Sequence, residues 1–217
     1  GRRLREIPGV RSAGFGTSLP WTGYDENTFI EIPGYVPRQG EGAGGRYQAA
    51  SAGFMEALGM RVIKGRAVSI SDNGQAPKTV VINEALARRY FSDRDPLGRV
   101  IEVWGNKREI VGVVADVRDW PADAQTKPAF WMAVEQQPFS RVVAAVRVSG
   151  NPSDVLPAVR AALSSIDSEL PLVDVRYMST IAEAALAERR FTLLWSETFA
   201  GMAVALAALG IYSLLAY

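Results

Sequence analysis

Two aspartates in the middle of the chain are the residues whose spacing best suits chemistry. Asp116 and Asp119 stand on either side of Val117 and Arg118. Two carboxyl groups this close could exchange protons as acid and base, or hold a hard cation. No second acidic cluster follows nearby, and Arg118 supplies a counter-charge between them. We therefore favour a turn that ends a strand, with an anchored hydrolase as the alternative.

The residue types that are missing exclude most other catalysis. The chain of 217 residues contains no cysteine and no histidine. Zinc, copper and non-haem iron sites rely on thiolate or imidazole ligands, and cysteine or serine–histidine catalysis needs the same groups. The net charge of +1 gives no reason to expect nucleic acid as a partner. We predict a protein that is not an enzyme and that has no metal and no cofactor.

Two glycine-rich segments have the composition of ligand-binding loops. Gly14-Phe15-Gly16 resembles the start of a dinucleotide-binding fingerprint, but Leu19 stands where the third glycine belongs and Pro20 follows where a helix should begin. The segment from residue 40 to 45 lacks the Gly-Lys-Ser/Thr ending of a phosphate-binding loop. Neither segment predicts a cofactor, and we expect the second to be a mobile surface loop.

Short strands are predicted through most of the first 140 residues. Asn83 can cap a helix over residues 84–91, and Gly105-Asn106 is typical of a hairpin turn. A short helix over residues 51–58 is expected to end at Gly59. The predicted strands cover residues 10–15, 28–32, 61–64, 79–82, 100–104, 109–117 and 129–134.

The last third of the chain has the pattern of a strand, a helix and a second strand. A strand over residues 142–148 leads through a capped turn to a helix ending near Ile166, and a strand over 172–176 returns. A crossover of this length suits parallel neighbours, so we expect this βαβ unit to pair in parallel with the N-terminal strands. The predicted fold is α+β. Its first subdomain is discontinuous, over residues 1–65 and 137–179, and residues 66–136 form an inserted, mainly β subdomain with its own core.

The C-terminal part is predicted to be one long helix. Thr180 and Glu183 have the spacing of a capping box, in which each side chain bonds the backbone N–H of the other residue. Residues 199–217 carry no charge, which is close to the run of about 20 apolar residues that a membrane-spanning helix needs. We interpret residues 180–198 as a stalk and residues 199–217 as the start of a transmembrane helix. The alternative is a helix buried in the core of a soluble protein.

Two further basic residues belong to the stalk. Arg189 and Arg190 lie just before the uncharged stretch, where they could contact lipid head groups or a partner subunit. A solvated helix face outside the membrane explains them equally well. With Thr180 and Glu183, they are the residues to which we assign a mechanical, non-catalytic role.

Several segments along the chain form a recognisable order: residues 54–60 and 64–66, 80–91, 95–98, 110–117, and a closing run from 189–191 through 209–212. Together they resemble one protein family, the MacB-like periplasmic core domain followed by an FtsX-like permease helix. The order of these motifs along the chain is more specific than any one of them. The closest resemblance is to the large permeases of this group that are common in acidobacteria.

The resemblance implies a location and a set of partners. It implies a domain on the periplasmic side of the bacterial inner membrane, built from a porter-like α/β subdomain and an inserted β subdomain called the Sabre. A separate cytoplasmic ATP-binding subunit would drive the membrane helices, and the periplasmic domain would move in response during export or signalling. The implied partners are that subunit, the lipid bilayer and, as a possibility, a second permease copy. A membrane-anchored sensor or ligand-binding domain is the alternative function.

Overall fold

The computed structural model describes residues 1–22, 26–37, 42–117, 126–137, 139, 142–165 and 174–215. These residues form a mixed α+β structure around one curled sheet. In chain order the elements are α1 (Arg2–Arg5), β1 (Val10–Gly16), β2 (Asn27–Phe29), β3 (Gly44–Ala50), α2 (Phe54–Ala57), β4 (Val62–Gly65), β5 (Thr79–Asn83), α3 (Glu84–Tyr90), β6 (Val100–Val103), β7 (Asn106–Val114), β8 (Ala129–Ala133), β9 (Val143–Val148), α4 (Pro152–Ser164) and α5 (Met178–Leu215).

The sheet has the strand order β4-β7-β5-β8-β3-β1-β9, with β2 beside β3 and β6 beside β7. Two pairs are parallel, β3 with β8 and β5 with β7, and the other pairs are antiparallel. An isolated bridge between Glu31 and Glu102 brings the chain after β2 onto β6, which curls the sheet.

The predicted parallel pairing of the last strand is wrong. β9 runs antiparallel to β1, from Val148 opposite Val10 to Val143 opposite Gly16. A pattern of apolar residues identifies a strand but says nothing about its direction. A parallel βαβ crossover also requires a second strand after α4. Residues 174–176, from the predicted returning strand, have no strand structure, and residues 172 and 173 lie outside the described part.

Apolar side chains fill both faces of the sheet. Neighbouring residues of β5 illustrate this, because Val80 and Ile82 belong to one core cluster and Val81 to the other. Each cluster combines strands from both predicted subdomains. The first joins Ile30 of the N-terminal segment to Phe130 of β8, and the second cluster includes β3, β7 and β9 residues. The division into two subdomains stays a prediction.

The predicted cap of α3 is confirmed. The Asn83 side-chain oxygen accepts a hydrogen bond from Leu86 N at 2.9 Å. The same oxygen accepts from Ala129 N at 2.9 Å, while the Asn83 amide donates to Lys127 O at 3.0 Å. One buried side chain therefore starts a helix and fixes the beginning of β8.

The predicted hairpin is present, with its turn one residue earlier. Val103 of β6 lies opposite Asn106 of β7, so the two turn residues are Trp104 and Gly105. Both have positive φ, 51° and 72°, as a type I′ turn requires. The Trp104 ring lies edge-on to Tyr47 at 4.9 Å, a contact that holds an unfavourable residue in this turn.

Candidate functional site

The start of α5 is attached to the first turn of α4. The hydroxyl of Tyr177, the residue before α5, lies 3.0 Å from the Ser153 hydroxyl. Ile181, in the first turn of α5, is buried. The start of α5 therefore contacts α4, the helix that follows the edge strand β9.

The later part of α5 exposes apolar side chains to a degree that a water-soluble helix rarely does. From residue 199 to 215 it carries no charged residue. Phe199 is 61% exposed and Tyr212 is 73% exposed. A helix that is apolar on all sides needs a covering environment. Within the described residues no helix is both long enough and apolar enough to cross a membrane. The other exposed apolar residues of this part are Met202, Val204, Leu206, Leu209 and Ile211.

The four residues predicted to form the mechanical stalk lie on α5, and their role stays a prediction. The helix begins at Met178, two residues before the predicted cap, so Thr180 and Glu183 lie in its first two turns. Both are exposed. Arg189 and Arg190 belong to the same helix, but the structure does not describe their side chains.

The first eleven residues run alongside α4. Arg3 Nη1 donates to the Ser165 hydroxyl at 3.0 Å, beyond the last residue of α4. At the other end of α4, Ser149 N donates to Gly9 O at 2.7 Å, and Arg11 Nε donates to the Ser149 hydroxyl at 2.6 Å. The segment therefore passes from the end of α4 to its beginning, where α5 is attached.

Of the two aspartates that could do chemistry, the structure describes one. Asp116 accepts hydrogen bonds from Ala85 N at 2.8 Å and Arg88 Nη2 at 2.5 Å. It therefore ties the end of β7 to α3, where Arg88 supplies a counter-charge, and Arg118 lies outside the described residues. Asp119 lies outside the described residues. In the part of the chain that the structure describes, no three acidic side chains converge on a metal site.

The two glycine-rich segments serve packing and strand pairing where they are described. A Cβ on Gly14 would stand 2.3 Å from Phe54 N, and one on Gly16 would stand 2.4 Å from the Phe54 ring. These glycines let α2 lie directly on β1. In the second segment, Gly44 and Gly45 are the first two residues of β3 and do not belong to a loop. Residues 40 and 41 lie outside the described part.

An ion pair between an exposed arginine and a buried aspartate holds the loop between β4 and β5. Asp72, whose side chain is 2% exposed, accepts from both terminal nitrogens of Arg66 at 2.6 and 2.8 Å. It also accepts from Ser69 N at 2.8 Å and from the Thr79 hydroxyl at 3.0 Å. Burial acts to raise the pKa of Asp72, but the hydrogen bonds from Arg66, Ser69 and Thr79 outweigh burial and lower that pKa overall.

A second buried charge is poorly satisfied. Arg108 on β7 is fully buried, and Nη2 donates to Gln137 Oε1 at 3.2 Å. Its Nε and Nη1 atoms have no hydrogen-bond partner among the described residues. Burial away from water lowers the pKa of this guanidinium. Neither this arginine nor the Arg66–Asp72 pair was singled out by the sequence patterns.

Two clefts on the described surface are open to solvent. One, of about 430 Å³, lies over the start of β3 and is lined by Phe29, Tyr90 and Pro128 among others. The other, of about 410 Å³, lies beside α3 and is lined by Phe91 and Pro96 among others. A sensor domain would be expected to have a deep pocket with convergent polar groups. Neither cleft has that form.

Domains of known structure resemble this chain to different degrees. Three solved structures are similar to this chain, each over 76% of its length. The periplasmic region of MacB from Actinobacillus actinomycetemcomitans has a TM-score of 0.54 and 15% identity, over 71% of that chain. The extracellular domain of the noncanonic ABC-type transporter YknZ from Gram-positive bacteria scores 0.48 with 15% identity over 81% of its length. A domain of a putative permease protein from Porphyromonas gingivalis scores 0.49 with 17% identity over 68%.

The family comparison covers most of the chain. The comparison with curated proteins finds no match. The family model of the MacB-like periplasmic core domain matches residues 4–166. Such domains are the extracytoplasmic parts of ABC-type permeases and generally have no catalytic activity. The curled sheet and the matched segment together show that this chain belongs to the MacB-like periplasmic core domain family.

Proposed function

We propose that this domain transmits movement between α5 and its sheet, as the periplasmic part of an ABC-type permease. In this role α5 is a stalk that continues toward the membrane. A separate cytoplasmic ATP-binding subunit supplies the energy, and the domain itself does no chemistry. The lipid bilayer and a second copy of the permease are the other partners in this proposal.

The observation that carries the proposal is the form of α5. It is 38 residues long, it is attached near its start through Tyr177 and Ile181, and it ends in an uncharged stretch with exposed apolar side chains. A continuous helix is stiff along its axis, because each turn is bonded to the next. A displacement at the apolar end is therefore passed to the attached end with little loss.

The attached end is well placed to move the rest of the domain. α4 follows β9, and β9 is hydrogen-bonded to β1 along its whole length. α5 contacts the first turn of α4 through Ser153. A pull on α5 is thus passed to α4 through the bond between Tyr177 and Ser153, and from α4 to β9 through the short turn at residues 149–151.

A proline in the stalk tests the proposal. Ala187→Pro removes a helix hydrogen bond and costs about 3 kcal/mol or more within a helix, while Ala187→Leu keeps the helix intact. The assay uses the whole permease with its ATP-binding subunit in membranes. Because these 217 residues contain no cysteine, Lys107→Cys gives a single labelling position for an environment-sensitive fluorophore on this domain.

The two variants are expected to differ in one respect. The parent and Ala187→Leu should show an ATP-dependent change in fluorescence at position 107. Ala187→Pro should lose that change while ATP hydrolysis continues. An unchanged fluorescence response in the proline variant would show that α5 does not act as a stalk.

A further inference from the structure

Arg108 lies inside the curled sheet, near the hairpin between β6 and β7. It is fully buried on β7, opposite Ile101 of β6, and Ile101 belongs to the first core cluster. Opposite residues of an antiparallel pair share a face of the sheet, so the guanidinium enters an apolar interior. No carboxylate in the described part of the chain forms an ion pair with it. A buried charge in this state is strongly unfavourable unless a partner is supplied.

The hydrogen bonds of Arg108 are incomplete in a way that fits a missing anion. Its Nη2 atom donates to the neutral amide oxygen of Gln137 at 3.2 Å, the long end of the usual range. Its Nε and Nη1 atoms are buried without a partner among the described residues. A guanidinium binds a carboxylate through two neighbouring nitrogens. Nη2 belongs to both such pairs, so an anion that displaces Gln137 from Nη2 also bonds to one of the two unpaired nitrogens.

Gln137 marks the way from the surface to this arginine. It is half-buried, whereas Arg108 has no exposed surface. A carboxylate is planar and close in size to the carboxamide of glutamine, and it carries the negative charge that the amide lacks. It can therefore take the place of the Gln137 amide on Nη2 once that side chain turns toward solvent. A preformed cavity is not needed for this exchange.

Three aromatic side chains lie at the same end of the sheet. Tyr47 and Phe139 pack against the first core cluster with their rings stacked at 6.4 Å, and Phe139 follows Gln137 by two residues. Trp104 lies edge-on to Tyr47, is 45% exposed, and has a φ of 51° that asparagine or glycine would adopt with less strain. Backbone strain of this kind is concentrated at sites that bind ligands. We call Tyr47, Trp104, Arg108, Gln137 and Phe139 the hairpin site.

We propose that the hairpin site binds a small organic acid with an apolar body. The carboxylate pairs with Arg108 in place of the Gln137 amide, and the apolar body lies against the ring of Trp104. Arg108 is the only charged residue of the site, which suits a single negative charge better than the nearly two charges of a phosphate group. An inorganic anion would leave the aromatic rings without a role. This inference goes beyond the proposed role of α5 and does not depend on it.

Binding of sodium benzoate to the whole 217-residue chain, measured by ligand-observed NMR in mild detergent, tests the inference. Benzoate combines a carboxylate with an apolar ring, benzyl alcohol has the ring without the charge, and sodium chloride supplies an inorganic anion. The test variant is Arg108→Met. Its matched control is Lys107→Met, which removes a cation from the neighbouring, exposed residue of β7. Trp104→Asn creates the Asn-Gly pair that a type I′ turn favours, so it removes the ring and keeps the hairpin.

The parent and Lys107→Met should bind benzoate with equal Kd. Arg108→Met should bind it at least 10-fold more weakly, a change of about 1.4 kcal/mol, because a charge-assisted pair of hydrogen bonds is lost. Trp104→Asn should weaken binding by about 3-fold, since it removes an aromatic contact. Arg108→Met is expected to melt above the parent without ligand, so unfolding would not explain its loss of binding.

Three results would overturn the proposal. They are a parent chain that does not bind benzoate, equal Kd values for the parent and Arg108→Met, and displacement of benzoate by an equal concentration of chloride. The last result would mean that any small anion fills the place beside Arg108. Benzyl alcohol should not displace benzoate at equal concentration, and displacement by it would equally contradict a role for the carboxylate.

Discussion

Replacing Asp72 with asparagine should destabilise the domain, because the Asp72 carboxylate accepts hydrogen bonds from three residues of the chain. The Asp72 carboxylate accepts two bonds from Arg66, one from Ser69 N and one from the Thr79 hydroxyl. Asparagine has the same shape as aspartate but only one acceptor oxygen. Its NH₂ group would face N–H and O–H donors, with which it cannot form hydrogen bonds as an acceptor. Breaking a buried ion pair costs about 3–5 kcal/mol. The Arg66 side chain is 44% exposed and can regain water, so we expect about 3 kcal/mol.

This loss is large against the whole stability of a domain, which is about 5–15 kcal/mol. For a chain of this size it corresponds to a fall in melting temperature of about 6–12 °C. Urea unfolding in mild detergent, followed by tryptophan fluorescence, measures it directly. The matched control is Asp95→Asn, because Asp95 pairs with Lys64 at 3.2 Å on the exposed surface. Equal midpoints for the two variants would refute the reasoning.

The same residue predicts a dependence on pH. The pKa of folded Asp72 lies below its ordinary value, which is about 3.9 in unfolded chains. The folded state therefore holds its proton less tightly than the unfolded state does. The stability that this carboxylate contributes is fully present above about pH 4 and is lost as the pH falls through the folded pKa. The difference between the parent and Asp72→Asn should be constant from pH 7 to pH 5 and shrink on further acidification. A constant difference down to pH 2 would contradict the assignment.

Three other substitutions test further features. Asn83→Ala should lower the free energy of unfolding by about 2–3 kcal/mol, since it removes three hydrogen bonds of a buried side chain. Asn151→Ala, which removes an exposed helix cap, should lower it by only about 1 kcal/mol. Equal losses in urea unfolding would be evidence against the wider role of Asn83. Gly112→Ala should lower the free energy of unfolding by about 3 kcal/mol or more, because its Cβ would stand 1.9 Å from the backbone oxygen of Arg66. Gly105→Ala has open space around it and should cost about 1 kcal/mol for its positive φ alone. Arg108→Met should raise the melting temperature, since it removes a buried charge with two unpaired nitrogens and keeps the volume; a lower melting temperature would show that the guanidinium has a bound partner.

Local features of the fold could be predicted from the sequence because they depend on residues close together in the chain. Asn83 precedes an apolar helix pattern with Glu84 in its first turn, and that is enough to identify a cap. Its bonds to Ala129 and Lys127 join residues more than 40 positions apart, and no local pattern reports them. The direction of β9 was missed for the same reason.

Glycine caused the clearest error in element assignment. Gly44 and Gly45 suggested a loop, because glycine weakens a strand and favours turns. In the structure they lie opposite Phe29 and Thr28 of β2 and begin β3. Hydrogen bonds to the neighbouring strand hold both glycines in an extended conformation that their local sequence does not favour. Non-local pairing therefore decided the structure of this segment.

Thr180 and Glu183 were assigned to the stalk from the spacing of a capping box, and that role stays a prediction, as it does for Arg189 and Arg190. The buried charges of the domain, in contrast, were not indicated by any sequence pattern. The buried charges, Asp72 and Arg108, are separated in sequence from anything that resembles a motif. Asp72 can be buried because five donor atoms from three other residues converge on it. Such convergence is a property of the fold and has no signature in spacing.

The parallel pairing of β3 with β8 has a mechanical consequence. Five successive residue pairs, from Arg46 opposite Ala129 to Ala50 opposite Ala133, join the N-terminal segment to the last strand of the middle one. Shearing two strands apart requires their ladder bonds to break together, whereas a hinge would need a single flexible connection. A force applied at β9 would therefore rotate the sheet as one rigid body, and β4, at the opposite edge, would be displaced furthest.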